Sequence, residues 1–398
     1  MMLSSEHRAL FSLLRAGLWE REPDDLSPFP LTDAGWWNVY RMAVRQTVAG
    51  IVYRGLHHLP DTLLPGDDLM IRWVAQAERI EQKNKQMNAV VNRLYGRMDH
   101  YGLHPVLLKG QGIAAFYEHP LLRECGDIDL YFSLKKEIRK AAEIMSQTGC
   151  RLEGLPDGSD CYRWQGVEIE HHVRLFDFSN PWLKGCLSTL VAKYGFIDQP
   201  LTGNPSTESP VTVSVPSPLL NLLLLNAHLL KHIIGHGVGL RQFCDMARAY
   251  HNLQGCYAPE ELKAVYKRTG LMKWSVQLHT FLTEHLGLHR AELPFMDMDV
   301  CTSPELLHIV LEGGNFGQYG DTKGKASQAR WERKLRTFFS FWKHRDFSNA
   351  YARKEAFWTS IKLMIGNLAA FLPSVPVRFV GERYADLPVD CHHTTFCG

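Results

Sequence analysis

The chain has 398 residues, 45% hydrophobic and 22% charged, which is enough apolar material for a sizeable core and excludes disordered, collagen-like and coiled-coil classes. At roughly 100–200 residues per domain, that length predicts two or three domains, or one domain with large helical additions. With 44 Lys and Arg against 42 Asp and Glu the net charge is +2, so no overall basic field exists to hold a nucleic acid, and any polyanion must meet a focused site.

The first hundred residues read as helices. Asp33 is placed to cap a helix whose apolar positions Trp37, Tyr40, Val44, Val48, Ile51 and Val52 recur at three- and four-residue steps. A longer helix is expected from about Leu69 to His100, with Ile80, Met87, Val90, Val91, Leu94 and Met98 on one stripe and Gly102 ending it. The period then changes. Val106 to Leu108 is a short apolar run, Gly110 to Tyr117 reads as a helix start, and Asp127 to Phe132 alternates like a half-buried strand. Lys135 to Gln147 is helical again. Three short strand candidates follow, Cys150–Glu153, Cys161–Trp164 and Val167–Val173, separated by Pro156-Asp157-Gly158 and Gln165-Gly166.

Between Gln199 and Pro218 five prolines lie among Ser, Thr, Gly and Asn, with a strand-like interruption at Val211–Val215. The remainder is helical, beginning with Leu219–Ile234, which is apolar nearly all round and belongs in the centre of a bundle. The expected fold is therefore α+β: a small mixed-sheet domain over residues 103–218, an N-terminal helical region over 1–102, a C-terminal bundle over 219–375 and a tail over 376–398.

Nine cysteines without a CxxC pair argue against a disulfide scaffold and for reduced, cytoplasmic thiols. Met1–Arg15 carries Glu6, His7 and Arg8 before any apolar run, so no secretory signal is expected. The most apolar stretches, Leu219–Leu230 and Trp358–Leu372, are respectively too short and broken by Lys362 and Asn367, so no membrane partner is expected.

The feature richest in chemistry is Gly126-Asp127-Ile128-Asp129-Leu130. On a strand, residues two apart share a face, so Asp127 and Asp129 stand side by side while Ile128 and Leu130 enter the core. Two such carboxylates repel unless a cation lies between them, and a hard divalent ion takes carboxylate and phosphate oxygens. The plainer reading of Asp-x-Asp is a solvated strand edge. Upstream, Leu108-Lys109-Gly110-Gln111-Gly112 runs from a strand into a glycine-bearing helix start where a phosphate can be received. Downstream, Glu168-Ile169-Glu170-His171-His172 supplies a third acid on a later strand, or simply a polar sheet face.

Taken together, Val106-Leu107-Leu108-Lys109-Gly110, then Tyr117, Pro120, Arg123 and Gly126-Asp127-Ile128-Asp129-Leu130 resemble the signature of the uncharacterised nucleotidyltransferase family within the DNA polymerase β-like superfamily. The likeness continues through Glu170, His172, Val213–Pro218, the His228–His236 helix and Leu240-Arg241 to Asp245-Met246, covering most of residues 30–250. It implies a palm-like domain using Mg²⁺, or Mn²⁺, to move a nucleoside monophosphate from an NTP, with ATP expected, to an acceptor hydroxyl. Asp127, Asp129 and Glu170 are then the catalytic metal ligands. Lys109, Gly110, Gln111, Arg123, His172 and Arg241 are the nucleotide contacts. A small-molecule or protein acceptor is favoured over extended nucleic acid, because the cationic set Lys109 and Arg123 suits a single triphosphate.

The missing Gly-Ser pair and the large helical flanks support a rival reading, a catalytically inactive nucleotide sensor or protein-interaction module on the same fold. Lys109-Gly110-Gln111 replaces the Gly-Ser or Gly-Gly pair of better-studied members, and the third acid is Glu170 where aspartate is usual. Other groups have simpler explanations. His228, His232 and His236 share a helical stripe, but Gly235, Gly237 and Gly239 break it, so structural or substrate-lining roles are expected over zinc. Arg241 and Asp245, four apart, are expected to form an intrahelical ion pair.

Overall fold

The computed structural model describes residues 3–155, 158–201, 211–235, 237–296, 300–313, 342 and 344–371. The sequence expectations at His236 and for the tail over 376–398 lie outside them.

The chain begins with four helices: α1 (Ser5–Trp19), α2 (Asp33–Arg45), α3 (Ala49–Leu56) and α4 (Asp67–His100). Thr32 rather than Asp33 caps α2, its hydroxyl accepting from the Gly35 N–H, and Asp33 is the first residue inside. The single helix expected across residues 33–52 is two. It breaks at Gln46–Val48, where Thr47 takes φ 53° and the buried Gln46 side chain reaches the Val310 carbonyl and the Leu240 N–H. Tertiary hydrogen bonds overrode an unbroken apolar period. The most buried stripe of α2 is Trp36, Val39 and Ala43, with Trp37, Tyr40 and Val44 only half-buried beside it.

Seven strands follow: β1 (Val106–Leu108), β2 (Ile128–Tyr131), β3 (Glu153–Gly154), β4 (Asp160–Trp164), β5 (Val167–His172), β6 (Phe196–Pro200) and β7 (Thr212–Pro216). They form one mixed sheet in the order β3-β4-β5-β2-β1-β7-β6. The β2/β5 and β1/β7 pairs are parallel and the rest antiparallel. Between strands lie the five-residue α5 (Gly110–Ala114), α6 (Lys135–Ser146) and α7 (Lys184–Tyr194). The helix start expected to run to Tyr117 stops at Ala114, and β6 and α7 carry no counterpart in the sequence reading.

Alternation along the strands gives the sheet two unlike faces. Leu107, Ile128, Leu130, Phe132, Ile169, Val213 and Val215 pack with Met87, Val90, Val91 and Leu94 of α4 and Ile138, Ala141 and Met145 of α6. Val106, Leu108 and Tyr131 face the other way, into a larger core shared by α1–α3 and the C-terminal helices. Those are α8 (Pro218–Gly235), α9 (Leu240–Asn252), α10 (Pro259–Thr269), α11 (Met272–Leu286) and α12 (Pro304–Gly313), followed by Arg345–Tyr351 and Arg353–Phe371.

The apolar stretch placed at Leu219–Leu230 belongs to the longer α8. Among the described residues it is the one helix long and apolar enough to cross a membrane, and 83% of it is buried inside the protein. Close approach also fixes the entry to the site: a Cβ at Gly50 of α3 would stand 2.2 Å from the Leu122 carbonyl oxygen, so only glycine lets α3 press on the segment leading to β2. The seven described cysteines are all free.

Candidate active site

The register of β2 against β5 creates the site. Parallel pairing sets Asp129 directly beside Glu170 and Tyr131 beside His172, while antiparallel pairing sets Leu108 beside Asp129. Asp127 precedes β2 by one residue on the same face. Leu108, Asp127, Asp129, Glu170 and His172 line a cavity of about 310 Å³ between the sheet and α8, together with Lys109, Gly110, Arg123, His228, Lys231 and Arg241. That volume lies at the lower end of ordinary small-ligand pockets, roughly 300–1,000 Å³.

At the centre Asp129, 4% exposed, is held from both sides. Lys109 Nζ lies 3.1 Å from its Oδ2 and His172 Nε2 lies 2.5 Å from its Oδ1. Burial would raise the Asp129 pKa, but the Lys109 charge and the His172 hydrogen bond outweigh it and hold the carboxyl well below its ordinary value. Lys109 mirrors this: burial opposes its charge, yet Asp129, Asp127 and Glu170 raise it above the usual lysine value. Asp127 is raised, first by repulsion from Asp129 and then by burial, and Glu170 is raised by burial and then by Asp129. One ligand atom each from Asp129, Glu170 and His172 lie within 4.8 Å of one another. His172 Nε2 is also 3.4 Å from Glu170 Oε2.

Lys109 sits at φ 49° and ψ −137°, a conformation that non-glycine residues rarely hold, so the turn between β1 and α5 carries strain at the residue whose ammonium meets Asp129. Gly110 follows at φ 34°. Gln111 is not among the cavity-lining residues. It is buried, and neither polar atom of its side chain has a hydrogen-bond partner.

The segment from Leu121 to Gly126, which delivers Asp127, is pinned at carbonyl after carbonyl. Asn84 of α4 donates to Leu121 O and Arg123 O, Lys83 to Cys125 O, and Arg241 to Glu124 O. Arg123, expected as a nucleotide contact, is 4% exposed and gives its guanidinium to Asp245 of α9, with Nε to Oδ1 at 2.9 Å and an NH2 to Oδ2 at 2.5 Å. The Tyr117 hydroxyl donates to the same Oδ1 at 2.8 Å. The intrahelical pair expected between Arg241 and Asp245 is therefore absent, because Arg123, 122 residues away in sequence, takes the carboxylate bidentately.

The roof comes from α8. His228 Nε2 lies 3.0 Å from His232 Nε2, and burial, followed by the Lys109 and His232 charges, keeps His228 well below its ordinary pKa. At the cavity wall Lys231 pairs with Asp177. The helix is described as far as Gly235, and the third histidine of the stripe, His236, lies outside the described residues.

A family model described as uncharacterised nucleotidyltransferase matches residues 32–287, well over half of the chain. The chain belongs to that nucleotidyltransferase family. The match spans the sheet, the Asp-x-Asp strand and α8 through α11, so the whole cavity lies within it. No curated protein matches the sequence. Among solved structures, an antigenic nucleotidyltransferase-like protein from Paracoccidioides brasiliensis is similar at 14% identity, over 51% of this chain and 93% of that one, with a TM-score of 0.32. At that score the likeness carries no argument, and the α+β nucleotidyltransferase assignment rests on the family match and the sheet described above.

Proposed function

We propose that this nucleotidyltransferase moves a nucleoside monophosphate from a nucleoside triphosphate, with ATP the expected donor, to a hydroxyl on a small molecule or an exposed protein side chain. The observation that carries the reading is the β2/β5 register, which sets Asp129 beside Glu170 with Asp127 two residues away on the same cavity wall. Asp129, Glu170 and His172 bring two carboxylates and one imidazole together, with Asp127 on the same cavity wall, an oxygen-rich donor set that fits Mg²⁺, with His172 extending the fit to Mn²⁺. Such an ion supplies charge neutralisation for the triphosphate and for the leaving pyrophosphate.

The residues of the chain do the rest. Asp127, Asp129 and Glu170 would hold the ion. Lys109 keeps its proton and stays cationic, balancing Asp129 and able to meet a phosphate oxygen as a point charge. His172 orients Asp129 through the 2.5 Å hydrogen bond. Arg123 acts through Asp245 to fix the segment before Asp127. The cavity of about 310 Å³ under α8 favours a compact acceptor over a polymer strand.

Incubation of the purified full chain with Mg²⁺, candidate acceptors or extract and α-labelled ATP tests the reading: label transfer is expected from α-labelled but not γ-labelled ATP. Loss of no signal in the Asp127→Ala, Asp129→Ala double variant would remove the assigned site. One observation favours a second reading, a nucleotide-binding module without turnover: both Asp129 oxygens are engaged by Lys109 and His172. Mg²⁺-ATP stabilisation of the fold without any label transfer selects it.

A further inference from the structure

Transfer of a nucleotidyl group to a hydroxyl releases the hydroxyl proton, and a base at the cavity has to take it. The acids of the sheet wall are committed: Asp127, Asp129 and Glu170 to the ion, with His172 bonded to Asp129. Elsewhere in the lining Asp177 pairs with Lys231, and Asp245 with Arg123 and Tyr117. Of the carboxylates and imidazoles that line the cavity, this leaves His228 and His232 on α8.

These two rings meet at Nε2 to Nε2, 3.0 Å apart. Such a contact holds one proton, so one nitrogen donates and the other accepts with its lone pair. Two imidazolium rings would set N–H against N–H, and at least one ring is therefore neutral. His232 is 7% exposed with its Nδ1 buried, whereas His228 is half-buried and is the ring open to the cavity. His228 Nδ1 has no hydrogen bond among the described residues. When His228 donates from Nε2, that Nδ1 carries a lone pair. The groups around His228 keep it in the form a base requires: burial, then Lys109, His232 and His172, oppose its charge, and Asp129 alone favours it. Asp129 in turn feels the His228 charge, so the imidazole stands across the cavity within electrostatic reach of the carboxylate cluster.

We propose that His228 is the base that takes the proton of the acceptor hydroxyl, with His232 as the positioning residue that holds its ring through the Nε2 contact. The assignment rests on the nucleotidyl-transfer reading. The acceptor oxygen bonds to the α-phosphorus as the bond from that phosphorus to the pyrophosphate oxygen breaks, and the electron pair leaves with pyrophosphate. The hydroxyl proton passes to His228 Nδ1 and returns to water after the products leave.

Transfer from α-labelled ATP to acceptors in cell extract is compared for wild type, His228→Ala and His228→Gln, with Mn²⁺-ATP binding and melting temperature measured on the same proteins. Both variants are expected to lose transfer roughly a hundredfold or more while binding Mn²⁺-ATP like wild type. Added imidazole should restore transfer to His228→Ala, rising with its neutral fraction as the pH is varied. It should not restore His228→Gln, whose amide fills the space. Wild-type rates in either variant overturn the base and leave the transfer reading standing. Failure of imidazole to rescue His228→Ala also overturns it, and a parallel loss of Mn²⁺-ATP binding or melting temperature then makes His228 a wall of the cavity. A wild type that labels no acceptor refutes the transfer reading and the base with it.

Discussion

Neighbouring residues of the same two strands build the dry face and the charged face of the central sheet. On β5, Val167, Ile169 and His171 enter the core with α4 and α6, while Glu168, Glu170 and His172 point the other way. His171 and His172 show the contrast most sharply. His171 is fully buried, bonded to the Tyr162 hydroxyl at 2.8 Å and set against Phe132, and burial followed by the His172 charge brings its pKa down to about 3. One residue later His172 bonds Asp129 at the cavity. The dry face locks the register, since a one-residue slip would turn Ile169 outward, and a locked register keeps like-charged Asp129 and Glu170 adjacent. Apolar burial on one side thus holds electrostatic strain on the other.

Breaking the charged face at its centre should have the largest effect. Asp127→Ala with Asp129→Ala is expected to lower label transfer roughly a thousandfold or more, and also to lower urea stability, because the buried Lys109 loses the carboxylate that holds it. Arg123→Ala attacks the link between the faces. It leaves Asp245 buried without its cation, an expected cost of about 3–5 kcal/mol in urea unfolding, and pairing Arg123→Met with Asp245→Leu should recover most of it. On the dry face Ile169→Ala should cost about 2–5 kcal/mol, depending on how far the core closes over the cavity.

The smallest effect is a pH slope away from the sheet. His279 is buried between the Tyr250 hydroxyl and the Phe295 carbonyl, both at 2.8 Å, and burial brings its pKa from the ordinary 6.5 down to about 3. Because the folded-state value is depressed, the unfolded chain binds the proton first. Stability is therefore complete above about pH 6.5 and is lost as the pH falls toward 3, by at most about 1.4 kcal/mol per pH unit from this group. Urea midpoints for wild type and His279→Gln between pH 7 and 4 should converge as the pH falls. A constant gap would contradict the assignment.

Much of this was legible in the sequence where local chemistry and tertiary role coincide. Asp127-Ile128-Asp129 and Val167 to His172 alternate because each residue must choose a face, so both strands and their acids could be read directly. The edge strand β6, Phe196-Ile197-Asp198-Gln199-Pro200, has no buried residue and therefore no alternation to read. Helix α7 buries only Leu190 and carries Gly185, Ser188 and Thr189, so no stripe marked it. The helix broken at Thr47 and the partner of Asp245 were hidden for another reason. Both are decided by groups far away in the chain, Val310 and Leu240 for Gln46 and Arg123 for Asp245, and spacing along one helix cannot report them.

The most direct test of the central claim, that the charged face of β2 and β5 binds a metal-nucleotide, is electron paramagnetic resonance of Mn²⁺ titrated into the full chain with and without ATP. For wild type, free Mn²⁺ signal should fall in an ATP-dependent way beyond what ATP alone removes, and Asp127→Asn with Asp129→Asn should abolish that difference while leaving the protein folded. Equal Mn²⁺-ATP binding by wild type and double variant would contradict the account.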